Sequence, residues 1–128
     1  MRDRRDLALG WLEKARSDVY AAESVLSGSG PYDTACFHAQ QAVEKSLKAF
    51  LSFLEQPIPR THDLDELQRL CAESSLVPEL QMLDLTEMTD YAVHLRYDIE
   101  FWPEKETAES ALGLAMQVMQ MIREVIGA

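Results

Sequence analysis

Three histidines, His38, His62 and His94, are the side chains of this sequence whose ordinary pKa lies nearest neutrality. Acid–base chemistry at neutral pH would most naturally use one of them. His38 has neighbours of matching chemistry. His38, Gln41, Lys45 and Lys48 are separated by three, four and three residues, so on a helix they form one row. Such a row can face a phosphate through its imidazole, amide and ammonium groups. It can also hydrogen-bond across a helical bundle. Glu44 and Lys48 read more simply as an i,i+4 pair on a solvated face.

Two further groups hold chemistry-bearing residues. Arg96, Tyr97 and Asp98 fall at the end of a predicted helix, where a cation is favoured by the partial negative charge of the last carbonyls. If that end met the His38 row, then His38, Gln41, Lys45, Arg96 and Asp98 would surround a polar, ligand-binding cavity. Arg60 and His62 lie in a proline-stiffened loop. As loop fixtures, Arg60 would bond carbonyls and His62 would pack near the start of the next helix. Tyr97, Phe101 and Trp102 offer faces on which a nucleobase could stack, or cover for the end of a core.

The elements that must position these residues are all helical. Ala35, Ala39, Ala42, Val43, Leu47, Phe50, Leu51 and Leu54 recur at helical period, which predicts a helix from about Tyr32 to Glu55. Before it, Ala8, Leu12, Ala15, Val19, Ala22 and Leu26 make a bundle seam starting near Asp3 or Asp6 and ending at the Gly28 to Pro31 turn. So short a connection makes the two helices antiparallel neighbours. Asp63, with Glu66 three residues on, predicts the cap of a short third helix. A fourth runs from about Glu79 to Leu95. The last runs from about Glu104 to Ile126, and its second apolar stripe of Leu114, Met121 and Val125 requires it to be central or at a subunit interface. The expected architecture is one all-α domain over residues 1–128, an antiparallel up-and-down bundle of four long helices plus one short helix.

Composition narrows the functional classes. A net charge of −10 repels polyanions, so non-specific nucleic-acid binding is disfavoured and a basic protein partner is favoured. No apolar run approaches the roughly 18 residues that cross a bilayer, and the charged N-terminus is no secretory signal. A cytoplasmic protein without membrane contact is expected. Cys36 and Cys71 sit at apolar-phase positions and read as buried free thiols. No Cys/His cluster has zinc spacing, so neither metal nor cofactor is expected.

The run FHAQQAVEKSLKAFL, from Phe37 to Leu51, resembles the signature helix of the HEPN domains (higher eukaryotes and prokaryotes nucleotide-binding). Arg60-Thr61-His62-Asp63-Leu64 and Arg96-Tyr97-Asp98 fit the same family in the expected order, and the combination is similar to its prokaryotic single-domain branch. The resemblance implies a helical fold and a dimer. It also implies pairing with a minimal nucleotidyltransferase in a toxin–antitoxin-like system. Ribonucleases of the family use an arginine followed by four to six residues and then a histidine, without metal. Arg96 matches the arginine, but Phe101, Trp102 and Pro103 stand where the histidine would be.

The leading reading is therefore a binding and assembly protein, dimeric and partnered by a nucleotidyltransferase-type protein. The first alternative is a metal-independent ribonuclease, with Arg96 holding phosphate and His38 or His94 as an unorthodox base. The second is a small-nucleotide binder using His38, Gln41 and Lys45.

Overall fold

In the computed structural model the described residues are 3–127, apart from the side chains of Ala92, Val93 and Arg96. Five α-helices appear: α1 (Arg4–Leu26), α2 (Tyr32–Phe53), α3 (Leu64–Ala72), α4 (Thr86–Tyr97) and α5 (Lys105–Ile126). No strand occurs among the described residues, and no described helix is long and apolar enough to cross a membrane.

Helix α1 begins as its sequence requires. The Asp6 amide donates to Asp3 Oδ1 at 2.9 Å and the Asp3 amide donates to Asp6 Oδ2 at 3.3 Å, a reciprocal cap made by the two aspartates expected there. After Ser27 the chain turns through Gly30, whose φ of +100° suits a residue without Cβ. Helix α2 then returns antiparallel to α1: Arg4 meets Phe53, and Asp18 meets both His38 and Lys45. Ala8, Ala15 and Ala22 on α1 and Ala35, Ala39 and Ala42 on α2 are fully buried. Side chains this small let two helix axes approach closely.

Helix α2 is the central element. It packs against α1, α3, α4 and α5, and Leu47, Phe50 and Leu51 are completely buried. Burial of each contributes roughly 1.5–3 kcal/mol. Of the two places expected for α5, the central one is thus taken by α2. The second stripe of α5 packs within its own chain: Leu114, Met121 and Val125 are partly buried against the core, and Met121 and Val125 lie beside Leu76 and Val77. Arg5 reaches the Gly127 carbonyl, so α5 also runs antiparallel to α1 and in the same sense as α2.

The fourth helix is shorter than its periodicity suggested. Pro78–Met82 forms a 3₁₀ turn, and α4 starts only at Thr86. Gln68 of α3 donates to the carbonyls of Leu80 (2.7 Å) and Leu83 (2.8 Å), holding that stretch away from α-helical geometry. Asp84 Oδ1 accepts from the Thr86 amide, a local turn just before the helix, whose capping position is Leu85 and has no side-chain cap bond. At α3, Asp63 caps through the Asp65 and Glu66 amides. The other half of the expected capping box is replaced, because the Asp63 amide donates to Thr61 Oγ1 instead.

Candidate functional site

The polar row of α2 divides between two buried carboxylates. One is Asp18, which α1 carries into the α1–α2 seam with 8% of its surface exposed. His38 Nδ1 donates to Asp18 Oδ1 at 2.8 Å, and Lys45 Nζ donates to Asp18 Oδ2 at 2.6 Å. Each carboxylate oxygen thus holds one partner, a charge-assisted arrangement stronger than neutral hydrogen bonds. The Nδ1 bond fixes the tautomer of His38, leaving Nε2 as its acid–base nitrogen.

The second carboxylate is Glu44, 4% exposed. Its Oε2 accepts from Lys48 Nζ at 3.2 Å and its Oε1 from His62 Nδ1 at 2.7 Å. The Glu44–Lys48 pair is therefore not solvated as expected: side-chain exposure is 5% for Glu44 and 11% for Lys48. His62 does more than pack near a helix start, since it ties the loop before α3 to the middle of α2. Gln40 extends this link with a long 3.5 Å contact to the His62 carbonyl. Gln41 turns sideways and donates to Gln40 Oε1 at 3.1 Å. Arg60, by contrast, is exposed.

The end of α4 is organised separately. The Asp98 amide closes the helix on the His94 carbonyl, and Asp98 Oδ1 accepts from the Glu100 amide at 3.0 Å. His94 Nδ1 lies 3.6 Å from Asp98 Oδ2, an exposed pair. His38 and Lys45 are thus brought together, whereas Asp98 engages His94 rather than their row. The Arg96 side chain lies outside the described residues. The aromatics behave differently from one another. Phe101 stacks on His94, with centroids 5.1 Å apart, and leans on Tyr91, covering the core's end. Tyr97 and Trp102 do not cover it; they are 80% and 70% exposed.

Both thiols are buried as expected. Burial, assisted by Asp33 and Glu87, pushes Cys36 up to about 11, and burial alone pushes Cys71 up to about 12. Both remain protonated at neutral pH and are poor nucleophiles. Tyr91, which donates to Glu87 Oε1 at 2.6 Å, is likewise held above the usual tyrosine range by burial and then by that carboxylate. A cleft of about 1000 Å³, lined by none of the histidines, lies beside the start of α1 and the C-terminal ends of α2 and α5. Its arginines act as helix caps: Arg4 donates to the Phe53 carbonyl and Arg5 to that of Gly127.

Asp18 is the site residue that the sequence reading missed. Its signal was spacing: Ala15, Asp18, Val19 and Ala22 follow the i, i+3, i+4, i+7 pattern, so a charge stood in a buried seam. Among known proteins, the family model of the HEPN domain matches residues 8–125. No curated protein and no solved structure matches the chain.

Proposed function

We propose, from the premise that this chain belongs to the HEPN domain family, that it is a binding and assembly module. In this reading it dimerises and pairs with a separate, nucleotidyltransferase-type protein in a toxin–antitoxin-like system. One observation carries the proposal. Where the family's ribonucleases have their histidine, this chain has Phe101, Trp102 and Pro103, and Trp102 is exposed. An exposed indole binds well but transfers no protons at neutral pH. The dimer is supported by the family; the second stripe of α5 is partly buried within its own chain.

Purification of the native protein from its own cells tests this. A stable complex with a second protein is expected, and elution as a bare homodimer would overturn the pairing. Light scattering that returns the mass of one 14.5 kDa chain would remove the dimer.

A second reading, a metal-independent ribonuclease, draws on the Asp18–His38 pair. A carboxylate bonded to Nδ1 orients an imidazole for base catalysis at Nε2. Arg96 would then hold the phosphate. RNA cleavage in EDTA, compared among the native protein, Arg96→Ala and His38→Ala, decides the matter. Cleavage abolished by either substitution would establish a nuclease with a relocated base. Absence of cleavage by all three leaves the binding module.

A further inference from the structure

Three large side chains stand in water within six residues at the end of α4. Tyr97 is 80% exposed, Ile99 91% and Trp102 70%. Aromatic side chains carry about 150–250 Å² each, so this is a sizeable fraction of the largest apolar patch on an ordinary monomer. The segment has a defined shape. The Phe101 amide donates to the Asp98 carbonyl at 3.1 Å, the Asp98 side chain holds the Glu100 amide, and Phe101 is anchored on His94 and Tyr91. A turn fixed in this way presents Ile99 and Trp102 with little ordering left to do on binding.

Its charge selects the partner. Between Tyr97 and Glu106 stand Asp98, Glu100, Glu104 and Glu106, against Lys105 alone, on a chain whose net charge is −10. All four carboxylate residues are exposed. A polyanion would meet repulsion here. A guanidinium or ammonium would meet aromatic faces and carboxylates together, the combination that favours cation–π contact and charge-assisted hydrogen bonds.

We propose that the turn from Tyr97 to Glu106 is a docking surface for an arginine- or lysine-rich segment of a protein partner. This deepens, and rests on, the reading of the chain as a binding module. The partner's cationic side chains lie over Trp102 and Tyr97, and Glu100 and Glu104 accept their N–H groups.

The test is a calorimetric titration of the full chain, at low ionic strength, with a peptide of alternating arginine and glycine. A citrulline–glycine peptide and a single-stranded oligouridylate of the same length serve as comparisons. The arginine peptide should bind and the other two should not. The double variant Tyr97→Ala/Trp102→Ala, which changes no charge, should weaken binding by about tenfold. Glu100→Gln/Glu104→Gln should weaken it too. Glu13→Gln/Glu23→Gln removes the same charge from exposed positions on α1 and should leave binding nearly intact. Equal losses in the two charge variants, no loss in the aromatic variant, or tighter binding of the oligouridylate would each overturn the proposal. The two readings fail separately. A native complex that survives Tyr97→Ala/Trp102→Ala sinks the docking surface and keeps the binding module. If no partner is ever retained, the module falls while the peptide titration still reports on the turn.

Discussion

The α1–α2 seam and the turn after α4 use their side chains in opposite ways. Along α2, two buried carboxylates commit the residues capable of chemistry: Asp18 holds His38 and Lys45, and Glu44 holds Lys48 and the half-exposed His62 of the loop before α3. In the turn, residues that ordinarily build cores stand in water: Tyr97, Ile99 and Trp102. A polar group in a bundle interior has to find a partner, since an unpaired one loses its hydration without compensation. An apolar group in water faces a smaller penalty and can remain there when another molecule is to cover it. Residue type alone therefore misleads in both regions. The polar row is engaged within the chain, and the aromatic turn is the surface proposed above for binding.

Breaking the seam should have the largest effect. Glu44→Ala leaves Lys48 and His62 without their acceptor and should destabilise the fold by about 3 kcal/mol, with Asp18→Ala slightly milder. Urea unfolding measures both. A loss below about 0.5 kcal/mol, the range of ordinary surface changes, would mean that the clamps are incidental.

The thiols sharpen the contrast from the core side. Cys36 and Cys71 are raised from an ordinary value of 9.0 to about 11 and about 12, so above pH 9 the folded chain retains protons that the unfolded chain gives up. Their contribution to stability is complete below pH 9 and is lost as pH rises through 11 to 12. Thermal melts should show a shallower alkaline decline for Cys36→Ala/Cys71→Ala than for the native chain. An unchanged slope would exclude the thiols as its source.

A smaller, opposite effect is expected at Gly113, an exposed position inside α5 where an added Cβ meets nothing within 4 Å. Gly113→Ala should stabilise by up to about 1 kcal/mol through helix propensity and a more restricted unfolded chain. Destabilisation, read together with the mass in solution, would reveal that another chain packs on this face. The smallest effect belongs to the turn: Trp102→Ala should change stability by less than about 0.5 kcal/mol. A loss as large as that of Glu44→Ala would make Trp102 a core residue and erase the difference between the two regions.

Sequence and tertiary structure contributed differently at each of these places. The helical period, the Asp3–Asp6 cap and the Gly30-Pro31 turn are local, and they placed α1 and α2 within a residue or two. Such signals depend on backbone geometry within one or two turns of chain, which the sequence contains in full. The seams of alanine and leucine likewise determined an all-α bundle, and the motif helix identified the family. The break between Pro78 and Thr86 was not legible, because it depends on Gln68 bonding carbonyls 12 and 15 residues away. The pairing of the polar row was equally hidden. The i,i+4 spacing of Glu44 and Lys48 looks the same on a solvated face as in a buried one. Only the approach of α1 and of the His62 loop decides that Asp18 and Glu44 lose water and must be satisfied from within the chain. Periodicity tells which side of a helix is covered. Which charges the cover brings with it, and which aromatics it leaves bare, is set by contacts distant in sequence.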